Sequence, residues 1–131
     1  MTYTGGVWEV RFTDEYAAWW TTLAHDQQDS LTARIQLLQQ TGPTLGRPVV
    51  DTNVGSAYPN MKELRASKGG ALRVLFAFDP VRRAVLLVGG DKTGRWQQWY
   101  REAIPQADRL YAEYLKDLKD LKDLKNEENP S

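Results

Sequence analysis

The strongest constraint on the fold is a change of hydrophobic period at Asn60. From there to Val88, apolar and polar residues alternate with a period of two, which is typical of strands. The pattern predicts three strands separated by the turns S-K-G-G and D-P-V-R-R: Met61–Ala66, Ala71–Phe78 and Ala84–Val88. Two successive hairpins of this kind form an antiparallel meander.

The residues before the meander predict a strand and two helices. Val7–Phe12 alternates as a first strand, and Thr13 is expected to cap a helix. That helix has one broad apolar face: Tyr16, Trp19, Trp20 and Leu23. The polar link D-Q-Q-D-S predicts a second helix, capped by Asp29 or Ser30 and ended by Gly42-Pro43. Two helices joined in this way predict a helical hairpin.

The residues after the meander predict a last helix and a weak tail. Pro105 suits the first turn of that helix, whose apolar residues follow a 4-3-4-3 spacing: Ala107, Tyr111, Tyr114, Leu118 and Leu121. The tail repeats L-K-D every three residues, and its i,i+4 pairs run from Lys to Asp, the weaker orientation. We expect one domain over residues 1–118 and a frayed or disordered tail over residues 119–131.

Length and composition limit the class of protein. With 131 residues, 41% of them hydrophobic, the chain can bury a core as a single domain. The absence of cysteine excludes a disulfide framework and Cys-ligated zinc. The longest strongly apolar run, Ala84–Val88, is too short to cross a bilayer. We therefore expect a soluble, cytoplasmic protein with no membrane partner.

The formal net charge of zero hides an uneven distribution of charge. Residues 60–101 carry nine basic and three acidic side chains, net +6, whereas the segments on either side each carry net −3. A local basic surface of this kind attracts phosphate. The alternative is that the strands and turns simply carry solvated Lys and Arg, and composition does not separate the two interpretations.

Alternation sorts the charged residues of the meander between the two faces of the sheet. The core-facing side chains of the second strand are Val74, Phe76 and Phe78, and Leu64 is the core residue of the strand before it. Lys62 then lies near the core-side edge. The outward, open face gathers three charged residues: Glu63, Arg65 and Arg73. Either they form a working surface, or Glu63 makes a stabilising cross-strand salt bridge with one of the arginines.

A glycine-hinged loop is predicted after the third strand, in G-G-D-K-T-G-R-W-Q-Q-W-Y-R. It is not a phosphate-binding P-loop, because Lys92 precedes the second glycine of the motif. Its cations and aromatic rings suit single-stranded nucleic acid: Lys92, Arg95, Trp96, Trp99, Tyr100 and Arg101. The alternative is that about half of these aromatic rings pack on the final helix.

Most other catalytic arrangements are excluded by composition. The single histidine, His25, is expected at the polar end of the first helix, where it would complement the helix dipole. With one histidine and no cysteine, a Cys-His pair is impossible, and no metal-ligand spacing or cofactor motif is present. Any hydrolysis would have to run without a metal, a cofactor or histidine.

Several motifs together resemble a known family. The set is K-E-L-R, R-V-L-F-A-F-D-P, G-G-D-K-T-G and a helix containing I-P-Q-A-D-R-L-Y. It resembles the phage-derived, HigB-like branch of the RelE/ParE toxin superfamily, from about Val7 to Leu118. The resemblance implies an α+β RelE-like microdomain: an antiparallel sheet of about four strands, an N-terminal helical hairpin and a C-terminal helix.

The resemblance also implies a function and partners. Members are toxins of type II toxin–antitoxin systems, metal-independent endoribonucleases that cleave mRNA on the ribosome and are held inactive by a cognate, often helix-turn-helix, antitoxin. The ParE branch keeps the fold but inhibits gyrase without cleaving RNA. The fold alone therefore does not decide between the two functions. A non-toxic module that only binds an antitoxin or a phage partner is the third interpretation.

The family pattern implies roles for individual residues. Arg73 is the expected transition-state clamp, because its planar fork matches a phosphate. Arg65 and Lys92 would position the RNA backbone, Glu63 is a candidate general base, and Tyr100 would stack on a base or assist proton transfer. The expected substrate-binding residues are Lys62, Lys68, Arg95, Trp96, Trp99 and Arg101.

Overall fold

A computed structural model describes residues 2–3, 5–53, 55–67, 71–91 and 96–128. It shows one sheet of six strands in the order β1-β2-β6-β5-β4-β3. The strands are β1 (Thr2–Tyr3), β2 (Val10–Phe12), β3 (Val50–Thr52), β4 (Lys62–Ala66), β5 (Leu72–Phe78) and β6 (Ala84–Asp91). The α-helices are α1 (Asp14–Trp20), α2 (His25–Thr41) and α3 (Trp96–Glu128), and a 3-10 turn follows α2 at Gly42–Thr44.

The α+β class and the meander are as predicted, but the sheet is larger than predicted and is mixed. Strands β4, β5 and β6 pair antiparallel, whereas β2 pairs with β6 in parallel. The prediction of about four antiparallel strands was wrong. Two of the six strands, β1 and β3, are only two and three residues long, too short for alternation to be visible. The predicted first strand is also shorter, beginning at Val10 rather than Val7.

The predicted N-terminal helical hairpin was also wrong. Thr13 does cap α1, since its hydroxyl accepts from the Tyr16 N–H at 3.0 Å. However, α2 begins at His25, where the Gln27 side chain accepts the Ala24 N–H at 2.9 Å. Helix α1 contacts β6 and α2 contacts β4, so each packs on the sheet.

The start of α2 corrects two local predictions. Asp29 and Ser30, the expected caps, lie inside this helix, one turn beyond its first residue. His25 stands at the N-terminal end of α2, where the positive end of the dipole disfavours a cation. The dipole role predicted for His25 was therefore wrong.

Both faces of the sheet are covered, which corrects the prediction of an open outward face. One core lies between the sheet and α1 and α2, and includes Leu31, Ile35, Leu64, Val74 and Phe76. The other lies between the sheet and α3, and includes Met61, Leu75, Leu87, Ala107 and Tyr111. Strand β5 is apolar on both faces because Leu75 and Ala77 bury against α3.

A bulge and two glycines shape the end of β6. Leu75 pairs with Val88 and Phe76 with Leu86, so Leu87 is the extra residue at this irregularity. A Cβ atom at Gly89 would collide with the Trp19 ring, and one at Gly90 with the Trp99 ring. These glycines lie within β6 and admit one tryptophan from each side, so they are strand residues and not part of the predicted loop. Residues 92–95 of that loop lie outside the described part of the chain.

Helix α3 is the longest element and begins earlier than predicted. Pro105 lies inside it, not in its first turn, and the aromatic residues expected in a loop form its first two turns. The helix continues to Glu128, with Leu121 and Leu124 more than half exposed. Residues 129–131 lie outside the described part of the chain, and fraying of the tail stays a prediction. Within the described ranges, no helix is long and apolar enough to cross a membrane.

Candidate active site

The charged residues of the meander meet at the start of α3. Glu63 and Arg65 lie on β4, and Arg65 pairs directly with Arg73 on β5. Alternation places these three side chains on the α3 face of the sheet, the face that also carries Leu75. Tyr100 reaches them from the second turn of α3. The sheet register therefore assembles a polar cluster at one end of the α3 core.

Glu63 is the centre of this cluster. Its Oε2 accepts from Arg65 Nε at 2.8 Å and lies 3.5 Å from Arg73 Nη1. Its Oε1 accepts a hydrogen bond from the Tyr100 hydroxyl. The Glu63 side chain is 5% exposed, so both oxygens are held by partners inside the protein. The predicted alternative was a salt bridge from Glu63 to one arginine, and the structure has one to each of Arg65 and Arg73. These partners offset the desolvation cost of a buried carboxylate.

Arg73 is fixed by two aromatic rings, one hydrogen bond and one salt bridge. Its Nη1 donates to the Tyr100 oxygen as well as facing Glu63. Its Cζ lies 4.6 Å from the centroid of the Trp96 ring and 5.8 Å from that of Tyr100, both within cation–π range. The side chain remains 19% exposed. Its guanidinium is therefore held in one orientation at the protein surface.

The cluster continues across the sheet as a row of alternating charges. Arg65 Nη2 lies 3.3 Å from Asp51 Oδ2 on β3, and Arg47 Nη2 lies 3.1 Å from the same oxygen. Hydrogen bonding from Arg47 lowers the pKa of the Asp51 carboxyl, and the Glu63 hydrogen bond raises the pKa of Arg65. Among the residues that the structure describes, this row contains three arginines and two carboxylates.

The Tyr100 phenol is protonated at neutral pH. Burial, followed by the hydrogen bond to Glu63, raises the pKa of Tyr100 to about 12, although the Arg73 hydrogen bond acts in the opposite direction. Such a phenol can donate a proton but is a poor base near pH 7. It also bridges Glu63 and Arg73 and so ties α3 to the sheet.

The aromatic residues of α3 divide between packing and the site. The Trp99 ring covers Gly90 and packs against the α3 core, as a residue of the final helix and not as a loop residue that packs on it. Trp96 instead lies against Arg73, and its ring centroid is 5.4 Å from that of Trp99 and 6.1 Å from that of Tyr100. The three rings form one aromatic wall beside the charged cluster.

The remaining predicted site residues fall into three groups. Lys62 alternates to the opposite face of β4, the side of Leu64 and Ala66, away from Glu63. Arg101 is an exposed residue of α3. The third group lies outside the described residues: Lys68, Lys92 and Arg95. Asp51 is a site residue that the sequence analysis missed, since only the short apolar pair Val49-Val50 marks its strand.

Comparisons with known proteins agree with this architecture. The pattern of the family described as "Phage derived protein Gp49-like" matches residues 18–112. The solved archaeal RelE–RelB complex from Pyrococcus horikoshii contains a chain that superposes with a TM-score of 0.51 at 12% identity. That match covers 66% of this chain and 97% of the archaeal one, and it shows a shared RelE-like fold.

Two sequence relatives come from Mycobacterium tuberculosis. The candidate toxin HigB3 is 52% identical over 97 residues, which is 74% of this chain and 84% of the relative. The candidate toxin HigB2 is 46% identical over 104 residues, 78% of this chain but only 52% of that longer relative. The fold and the matched region define a toxin of the RelE/HigB-type superfamily. Within it, the chain belongs to the Gp49-like phage-derived family.

Proposed function

We propose that this protein is the toxin of a type II toxin–antitoxin system and acts as a metal-independent endoribonuclease on mRNA at the ribosome. The observation that carries the proposal is Arg73, held by Glu63, Tyr100 and Trp96 with its side chain still partly exposed. A fixed guanidinium fork is suited to the developing charge of a phosphate in a transition state. The three arginines of the row favour the same ligand.

In metal-free RNA cleavage the 2′-oxygen forms a bond to the adjacent phosphorus while the bond to the 5′-oxygen breaks. The 2′-hydroxyl proton passes to water or to a phosphate oxygen, and the departing 5′-oxygen takes up a proton. In the proposed reaction Arg73 stabilises the pentavalent phosphate, and Arg65 positions the backbone from the next strand. Tyr100, protonated at neutral pH, either donates a proton to the leaving oxygen or stacks on a base. Lys92 is proposed as a further backbone contact.

The surrounding residues would hold the rest of the RNA strand. Trp96 lies beside Arg73 and offers an aromatic surface on which an unpaired base can stack. Contacts of Lys62, Lys68, Arg95 and Arg101 with the RNA backbone are proposed on their charge alone. Trp99 supports Trp96 from the core and is proposed to act indirectly.

The proposed partners are an antitoxin and the ribosome. The solved RelE neighbour is in complex with RelB, and the sequence relatives are named as toxins, which supports a cognate antitoxin for this chain. A helix-turn-helix antitoxin and a cytoplasmic site of action belong to the same proposal.

Brief expression without an antitoxin, followed by growth measurement and primer extension on cellular mRNA, tests this function. We expect growth arrest and new mRNA ends, both lost in Arg73→Ala and both kept in Arg82→Ala, a control at an exposed arginine that lies over Trp8. DNA breaks with intact mRNA would select gyrase inhibition instead. Antitoxin binding without growth arrest would select a non-toxic binding module.

A further inference from the structure

We propose that Glu63 is the positioning residue of this site and does not act as its general base. The inference rests on the proposed ribonuclease function and defines how that site works. Glu63 would hold Arg65, Arg73 and Tyr100 in one arrangement, so that the arginine fork is preformed before RNA binds.

The first support is that the carboxylate oxygens are already engaged. Oε2 faces Arg65 Nε at 2.8 Å and Arg73 Nη1 at 3.5 Å, and Oε1 accepts from Tyr100. A general base must reach the proton that it removes, at about 2.6 to 3.2 Å or through one water. With 5% of its side chain exposed, Glu63 would have to give up one of these partners to contact an RNA hydroxyl.

The second support is that Glu63 joins separate elements of the fold. Through its partners it connects β4 with β5 and with the second turn of α3. Arg73 and Tyr100 also contact one another, which closes a triangle of Glu63, Arg73 and Tyr100. A triangle of this kind fixes the plane of the guanidinium, and a fixed plane is what a preorganised phosphate clamp requires.

The amide Glu63→Gln separates positioning from base chemistry. Glutamine keeps the shape and an oxygen acceptor for the arginines but cannot take up a proton. Glu63→Ala removes both properties. The matched control is Glu9→Gln, because Glu9 also pairs with an arginine two residues later, Arg11 Nε at 3.1 Å, but on the exposed surface.

Single-turnover cleavage of ribosome-bound mRNA, measured from about pH 5 to about pH 8, is the first readout. We expect Glu63→Gln to lose about tenfold or less in rate with an unchanged pH profile, and Glu63→Ala to lose about a hundredfold or more. Glu9→Gln should match the wild type. A Glu63→Gln loss as large as that of Glu63→Ala, together with loss of the acidic limb of the profile, would overturn the proposal.

Nitrogen NMR of the arginine side chains is the second readout and does not depend on activity. We expect distinct, slowly rotating guanidinium signals for Arg65 and Arg73 in the wild type and in Glu63→Gln, and averaged signals in Glu63→Ala. Averaged signals already in the wild type would also overturn the proposal. If the wild type cuts no mRNA, the ribonuclease function fails while the NMR result still decides whether Glu63 holds the arginines.

Tyr100→Phe keeps the test decisive if the Glu63 variants do not fold. Positioning predicts a lower rate with the pH profile unchanged, because the phenylalanine ring removes one tether of Arg73. Proton uptake by Glu63 through the Tyr100 phenol predicts instead that the acidic limb disappears in Tyr100→Phe, and that result would contradict the proposal.

Discussion

Two carboxylates on this fold are each held by a tyrosine of α3, yet the two clusters are built from different parts of the sheet. Glu63 accepts from Tyr100, and Asp79 accepts from Tyr114 at 2.6 Å. Fourteen residues separate the two tyrosines, nearly four helical turns, so both lie on one face of α3. The same helix face thus supports two buried carboxylates: Asp79 directly after the end of β5, and Glu63 opposite Leu75 in the middle of that strand.

The Asp79 cluster closes a turn. Asp79 Oδ1 accepts the N–H groups of Val81 and Arg83 at 3.0 and 2.8 Å, and Oδ2 lies 2.9 Å from Arg83 Nε. All of these partners lie within four residues of Asp79, and its charge is matched by one arginine. This cluster fixes the hairpin between β5 and β6.

The Glu63 cluster draws its cations from two strands, β4 and β5. Arg65 and Arg73 are neighbours across β4 and β5, although like charges placed opposite one another weaken a sheet. A purely structural cluster has no need of the second arginine. We therefore expect the arginines that Glu63 holds across two strands, and not the turn at Asp79, to mark the working site.

Replacement of Arg73 should give the largest effect on activity. Loss of one preorganised donor to a transition-state oxyanion costs about a hundredfold to a thousandfold in rate. We expect that loss for Arg73→Ala. Arg83→Ala in the other cluster should reduce stability but leave the rate per folded molecule unchanged. Cleavage rates normalised to the folded fraction check the contrast, and equal losses in both variants would remove the distinction between the clusters.

Replacement of Asp79 should give the largest effect on stability. The Asp79 side chain is fully buried, so Asp79→Ala leaves Arg83 without its carboxylate. Breaking a buried ion pair costs about 3 kcal/mol in the free energy of unfolding. Denaturant unfolding measures this cost. A change below about 1 kcal/mol would show that Asp79 does not hold the turn.

The sequence predicted the strands that carry the Glu63 cluster, but not that a helix covers it. Alternation identified β4 and β5 and placed Glu63, Arg65 and Arg73 on one face, because strand period is a local property. It did not reveal that α3 covers this face, since Leu75 and Ala77 look the same whether a helix lies over them or not. Pairing between distant segments, such as the parallel pair of β2 with β6, leaves no local pattern either.

The start of α3 shows the same limit. Pro105 is compatible with a helix start and the preceding glycines with a loop, so local signals favoured a loop at Trp96. The contacts of Trp96 with Arg73 and of Trp99 with Gly90 are tertiary, and they favour helix in that segment. For the same reason the hydrogen bond between Tyr100 and Glu63 was not foreseen, although both residues were named as candidates.

Removal of the two tyrosine hydroxyls should give smaller effects, mainly on stability in Tyr114→Phe and mainly on cleavage rate in Tyr100→Phe. Tyr100→Phe and Tyr114→Phe each remove a hydrogen bond to a carboxylate, worth about 1.5 to 3 kcal/mol when one partner is charged. We expect Tyr114→Phe to lower stability toward the upper part of this range and to spare cleavage. Tyr100→Phe should lower the cleavage rate about tenfold with a smaller stability loss. Unfolding and cleavage measured on the same preparations decide this, and a stability ranking in the reverse order would contradict it.

Lowering the pH should weaken the stabilisation that the Asp79 cluster contributes. Burial opposes ionisation of Asp79, but the hydrogen bonds from Tyr114 and Arg83 outweigh it and lower the pKa of its carboxyl. The folded state therefore favours the ionised form, and the stabilisation is present above the unfolded-state pKa near about 4 and is lost as the pH falls below it. The stability difference between the wild type and Asp79→Asn should shrink as the pH is lowered. A constant difference would contradict this assignment.

Tyrosinate absorbance offers the smallest and most local test of the Glu63 cluster. The pKa of Tyr100 is raised to about 12, so its proton is bound more tightly in the folded than in the unfolded state. Its contribution to stability is present below about pH 10 and is lost as the pH rises through the folded value. Four other tyrosines also have raised pKa values, so ultraviolet titration should show several late ionisations: Tyr3, Tyr16, Tyr111 and Tyr114. Tyr100→Phe should lose one late ionisation and keep the amplitude near about pH 10. Loss of amplitude near about pH 10 instead would contradict the Glu63–Tyr100 bond.

Single-turnover cleavage of ribosome-bound mRNA by purified protein, with analysis of the new ends, tests the central claim most directly. We expect 2′,3′-cyclic phosphate ends from the wild type. The cleavage rate of Arg73→Ala should be lower by at least about a hundredfold, with both proteins equally folded. Intact mRNA with the wild type, or equal cleavage by Arg73→Ala, would contradict it.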